Sequence, residues 1–178
     1  NPPPVFNIPA RKSSITIDGK LDRKEWGGLD VKNAMIIEDH HTGSRVKGAK
    51  SYAWLFYDRD YLYIGIRHEP DPYKNDMPPA MKNQVPSFEV AMESQQGAHS
   101  HGWWQYDMVT SGPVYSMDGN FRGEFKLNNL FGMPEEKAKG FTESVEYKAD
   151  VQDEENRTWT SEIKIPISKI GINPEEVE

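Results

Sequence analysis

The chain has 178 residues, 21 Lys+Arg against 28 Asp+Glu for a net charge of −7, and no cysteine. That length suits one domain, the acidic balance lacks the positive field that attracts phosphate backbones, and the missing thiols exclude disulfides, thiolate metal sites and cysteine nucleophiles. No apolar run approaches the roughly 18 residues that span a bilayer, and the longest, such as Tyr61 to Ile66, are strand-sized.

Opening on Asn1, the chain reads as a processed or excised product. Residues 1–13 contain Pro2, Pro3, Pro4 and Pro9 and no apolar periodicity, so they read as an extended lead-in or linker. Residues 14–178 read as the folded domain. Within it, Ser14 to Ile17 alternates like a short strand closed by Asp18-Gly19. Asp22 stands three residues before Glu25, the spacing of a capping box, which predicts one helical turn near residues 22–26 that buries Trp26.

Ser51 to Tyr57 and Tyr61 to Arg67, joined by Asp58-Arg59-Asp60, predict a hairpin. Residues 70–86 hold five prolines and little pattern, which predicts a long loop. Phe88, Val90 and Met92 alternate with Glu89, Ala91 and Glu93, and Trp103 to Thr110 also alternates. Pro113 to Met117 is expected to pair back on that second strand through a turn at Gly112. Glu143 to Val151 and Thr158 to Ile167 predict a last hairpin. Regular strands with almost no helix predict an all-β, antiparallel β-sandwich.

Four segments carry a family resemblance. They are Ile15 to Asp22 with Glu25-Trp26, then Ala53 to Asp58 with Tyr61 to Ile64, then Ser87 to Val90, and last Trp159 with Glu162 to Pro166 and Ile170-Gly171. In this order, over residues 15–171, they resemble family 9 carbohydrate-binding modules. The resemblance implies a DOMON-like sandwich, a superfamily whose branches bind sugars or haem, and an exported protein that carries the domain as a module of a larger enzyme.

The chain also departs from the family's pattern. Sugar-binding members clamp a terminal saccharide between two tryptophans, and the stretch Met81 to Pro86, where the first belongs, has none. Pro86 stands where an acid usually opens the next strand, and Asp107 where an arginine is expected. The family continues into strands that carry the second tryptophan, whereas this sequence ends at Glu178. The expectation is a sandwich that is short of its last strands or completed otherwise.

By the resemblance, Glu89 is the glutamate that accepts hydroxyl hydrogens from the bound sugar, a task that suits a carboxylate. Alternation gives it a face shared with Arg67, Gln105 and Asp107 if their strands are neighbours. Trp103 and Trp104 point to opposite sides of any strand that holds both. Trp103, alternating with Gln105 and Asp107, is the ring expected at the ligand, because aromatic faces match the C–H-rich faces of pyranoses. Tyr73, in the proline-rich loop, is a second platform, while Trp26, Trp54 and Trp159 are expected in the core.

Other chemistry is thinner. The pairs His40-His41 and His99-Ser100-His101 lack a spaced third metal ligand. Asp18, Asp22, Asp58, Asp60, Asp71 and Asp76 lie in expected loops, where oxygen ligands suit a structural calcium, with no spacing that specifies a site. The haem-binding alternative would draw on Met108, Met117 and His101 as axial ligands. No hydrolase or nucleotide-binding motif occurs, and Glu89 with Asp107 is a carboxylate pair of the kind a glycosidase mechanism uses, one that any acidic sandwich offers by chance. The expectation is a non-catalytic carbohydrate-binding module of a bacterial protein, secreted, periplasmic or on the cell surface. An assembly module completed by a partner's strand is the third reading.

Overall fold

A computed structural model describes residues 6–37, 51–69, 85–93, 114–128, 135–170 and 173–176. Eight strands are described there: β1 Met35–Ile36, β2 Tyr52–Tyr57, β3 Tyr61–His68, β4 Ser87–Glu93, β5 Val114–Asn120, β6 Phe125–Asn128, β7 Glu146–Asp153 and β8 Thr158–Pro166. They form two antiparallel sheets, one ordered β1-β2-β3-β8-β7 and the other β4-β5-β6. This is the all-β sandwich the pattern predicts.

Between the sheets, alternate residues make the main core: Leu62, Ile64 and Ile66 from β3, Ile163 and Ile165 from β8, and Phe88, Tyr115 and Met117 from the smaller sheet. His68 lies here too, stacked on Trp159 with ring centroids 3.5 Å apart and hydrogen-bonded to Ser161 Oγ at 3.0 Å. Burial pushes its pKa down to about 3, so the ring packs as a neutral aromatic. Met117, a candidate haem ligand, is fully buried in this core.

Both hairpins form as expected. In the first, Asp58 Oδ1 accepts from the N–H groups of Asp60 and Tyr61, while Oδ2 accepts from the Tyr63 hydroxyl. In the second, Asp153 Oδ1 accepts from Asn156 N across the turn. These are turns in which an aspartate side chain replaces a backbone partner.

Four expectations need correction. Ser14–Ile17 is extended but joins no sheet, although Ile15 is buried. Near residues 22–26 the expected single helical turn forms, with Trp26 N donating to Asp22 O at 3.0 Å and Trp26 buried, and a 3₁₀ turn follows at Gly27–Leu29. Only half of the capping box forms: Asp22 Oδ1 accepts from Lys24 N and Glu25 N, whereas Glu25 reaches back to Thr16 N. The stretch 103–110 lies outside the described residues, but Ser116 and Met117 cannot pair with it as expected, because β4 holds one edge of each and β6 the other.

The fourth correction is a helix, α1, at Glu135–Ser144, where sequence pattern places the start of a strand at Glu143. Glu135 and Glu136 complement the positive end of its dipole. Phe141 stacks on Tyr115 at 5.6 Å, and Thr142 Oγ1 accepts from Leu127 N, fastening the helix to β6. The described part of the lead-in is docked at Pro9 and Arg11: Tyr57 N donates to Pro9 O, and Arg11 N donates to Tyr57 O.

Candidate functional site

The outer face of the five-stranded sheet is covered by the chain's own N-terminal segment. Ile15, Trp26, Trp54 and Tyr63 form a second buried cluster there. What holds the segment down is Glu162 of β8, whose side chain is fully buried. Its Oε1 accepts from Asp18 N at 3.0 Å and Gly19 N at 2.7 Å, and its Oε2 accepts from Trp26 Nε1 at 2.8 Å. Burial pushes its pKa up to about 7 against the pull of those donors, which favour the anion.

Two glycines let the segment lie this close. A Cβ on Gly65, in β3 beneath the Trp26 indole, would come within 2.8 Å of two ring atoms. One on Gly19, at φ +90, would meet the Ala149 carbonyl carbon at 2.8 Å. Glu162 falls in the last of the family segments, but its burial depends on a segment more than a hundred residues away and is invisible to local pattern.

The smaller sheet is different. Its inner face packs on the core through Phe88 and Met117, and its outer face is polar. In register, Glu89 of β4 lies beside Asp118 of β5, which lies beside Lys126 of β6; one pair along, Ala91 lies beside Ser116 and Ser116 beside Asn128. Ser116 is fully buried and donates to Glu89 Oε1 at 2.8 Å, fixing the carboxylate. Lys126 Nζ is 4.0 Å from Asp118 Oδ2 and largely exposed. Two carboxylates placed side by side repel, and hydroxyl donors from a ligand relieve that repulsion, since ionised carboxylates only accept.

Of the six residues singled out from sequence, Glu89 stands on this face. Arg67 does not share it. β3 belongs to the other sheet, and since His68 contacts Phe88 across the core at 5.3 Å, Arg67 and Glu89 point outward on opposite sides of the sandwich. The Arg67 guanidinium lies over Tyr52 and Trp54 at 5.2 and 5.5 Å and is ion-paired with Glu69 at 3.0 Å. Tyr73, Trp103, Gln105 and Asp107 lie outside the described residues.

Ser116, Asp118 and Lys126 are the members of this face that sequence reading missed. Their alternation with Tyr115, Met117 and Leu127 was the available signal. Trp26, Trp54 and Trp159 are buried as expected. Among the described residues no three His, Cys, Asp or Glu side chains cluster to hold a metal ion. Asp18, Asp22 and Asp58 each cap a local turn, while Asp71, Asp76, His99, His101 and Met108 fall outside the described residues. No helix among the described residues is long and apolar enough to cross a membrane.

No protein-family model and no curated protein matches the chain. Among solved structures, it is similar to a family 9 carbohydrate-binding module from Caldicellulosiruptor kristjanssonii in complex with glucose. The two superpose with a TM-score of 0.52 at 17% identity, over 93% of this chain and 71% of that one. The fold is therefore that of a family 9 module, as the motifs imply.

Proposed function

We propose that this domain is a non-catalytic carbohydrate-binding module, with a glycan end bound at the polar face of β4-β5-β6 and Glu89 as its principal hydrogen-bond acceptor. The observation that carries the reading is the Ser116-oriented Glu89 carboxylate beside Asp118 and Lys126, on a fold shared with a glucose-bound module. A carboxylate accepts from vicinal hydroxyls, and an ammonium donates to a third. Trp103 and Tyr73 are proposed as the aromatic contacts, with Gln105 and Asp107 as further polar partners. Arg67, on the opposite side of the sandwich, is not part of this proposal. In the whole protein the domain serves an exported, polysaccharide-processing parent chain.

Isothermal titration with glucose and cello-oligosaccharides, with native and with borohydride-reduced ends, tests this. The expected result is saturable heat that falls at least about tenfold in affinity in Glu89→Ala, the loss of a hydrogen bond to a charged group. A lower affinity for reduced chains would identify the sugar end as the recognised feature. No heat with any glycan, or unchanged affinity in Glu89→Ala and Trp103→Ala, overturns it.

A further inference from the structure

A groove of about 430 Å³ lies on the outer face of the five-stranded sheet, on the far side of the sandwich from Glu89. Its floor is built from the β2 residues Trp54, Leu55 and Phe56 together with Trp26 and Gly27 of the docked N-terminal segment. The indoles of Trp26 and Trp54 are buried beneath it. Ring surface is offered instead by Phe6, 37% exposed, since the half-buried Phe56 ring has the Arg11 guanidinium 5.4 Å from its centroid and the Trp26 ring 6.0 Å away.

The rim is polar. Asn7, Lys32 and Asn33 are exposed there, and among the described residues none of the three side chains is committed to a hydrogen bond or ion pair. That contrasts with Asp18, Asp22, Asp58 and Asp153, all engaged in local turns. The turn that presents the rim is itself fixed. Asp30 Oδ1 accepts from Lys32 N at 3.0 Å, and Trp54 Nε1 donates to Asp30 O at 2.9 Å. Uncommitted donors and acceptors thus stand on a held backbone.

We propose that this groove is a second binding surface for a neutral saccharide. An aromatic wall supplies contact for C–H faces, two amides can both donate and accept, and an ammonium donates to hydroxyls. The groove's size is within the ~300–1,000 Å³ of small-ligand pockets. Asp30 and Lys32 carry opposite charges within three residues, so the rim offers neither an anion nor a cation a net field. The choice of saccharide class rests on the proposed function, but the site does not share a residue with the Glu89 face. Two sites facing opposite ways would let one domain bridge two glycan chains, gaining avidity by effective concentration.

The test is a ¹H–¹⁵N NMR titration of the whole chain with glucose and with cellotetraose, following the amides of Gly27, Lys32 and Asn33 alongside those of Glu89 and Asp118. The expected result is a saturable shift at the groove amides that persists in Glu89→Ala and weakens at least about threefold, the equivalent of one hydrogen bond, in Asn33→Ala and in Phe6→Ala. Each variant's spectrum reports directly that it is folded. Shifts at the Glu89 face alone overturn the second surface and leave the proposed function standing. Shifts at the groove alone do the reverse. Groove shifts that vanish in Glu89→Ala, or no shift at the groove amides with either sugar, overturn the inference.

Discussion

The two sheets of this sandwich treat their outer faces in opposite ways. β3, at the centre of the larger sheet, is buried or nearly so along most of its length, because one face meets the main core and the other meets the N-terminal segment. Such a strand reads as a nearly continuous apolar run. β4 alternates strictly, with Phe88 inward and Glu89 outward, and its polar neighbours across β5 and β6 extend that alternation into a surface. Among the described residues, the one buried carboxylate of the first sheet, Glu162, is spent on holding the fold together. The carboxylates Glu89 and Asp118 on the second are half-buried.

The contrast is broken most severely at Glu162. Replacing it with alanine leaves Asp18 N, Gly19 N and Trp26 Nε1 without their acceptor, and an unsatisfied buried donor costs about 1–3 kcal/mol. With partial rescue by water, Glu162→Ala is expected to lower stability by about 3–5 kcal/mol in urea unfolding. Equal stability of variant and parent would show that the segment is held by apolar contact alone.

Two buried groups should shape the pH dependence with opposite signs. Glu162 has its pKa raised from 4.5 to about 7, so the folded state holds a proton the unfolded state releases. Its contribution is complete below pH 4.5 and is lost as pH rises through about 7. His68 has its pKa lowered from 6.5 to about 3, so its contribution is complete above pH 6.5 and is lost as pH falls towards 3. Between about 4.5 and 6.5 the two slopes oppose, which predicts a plateau. In Glu162→Gln only the histidine slope remains, and stability should climb across that interval. A plateau that survives the substitution would remove Glu162 as its cause.

A smaller effect is expected at Gly65. An alanine methyl would have to displace the Trp26 indole and Leu21, both within 2.9 Å of where it would sit. Overpacking of this kind costs about 1–3 kcal/mol. Near-UV circular dichroism of Gly65→Ala should show the tryptophan environment changed, and an unaltered spectrum at unaltered stability would mean the contact is looser than its geometry.

How much of this was legible in the sequence follows the same division. The hairpins β2–β3 and β7–β8 could be read because aromatic and β-branched runs flank aspartate-rich turns, a signal contained in about twenty neighbouring residues. Helix α1 was not, because Glu135–Ser144 contributes only Ala138 and Phe141 to the core and so lacks a helical apolar stripe. Alternation placed Glu89 on an outer face correctly. It misassigned Arg67 to the same face, because period two tells which side of its own strand a residue takes and not which sheet the strand joins. The role of Glu162 needed the long-range pairing of residue 162 with residues 18, 19 and 26.

The smallest stability effect is expected where the largest binding effect is proposed. Glu89 is half-buried, and its carboxylate accepts from the Ser116 hydroxyl at 2.8 Å. Alanine there removes a net contribution of about 1 kcal/mol and also separates a like-charged pair, since Asp118 is its register partner. The two terms oppose, so urea unfolding of Glu89→Ala should lie within about 1 kcal/mol of the parent. Ser116→Ala sharpens the distinction: it leaves the carboxylate in place without the Ser116 hydroxyl bond, so sugar affinity should fall by less than in Glu89→Ala. If Glu89→Ala instead destabilised the domain as strongly as Glu162→Ala, the polar face would be a structural network like the one beneath the N-terminal segment, and the difference between the two sheets would be one of position only.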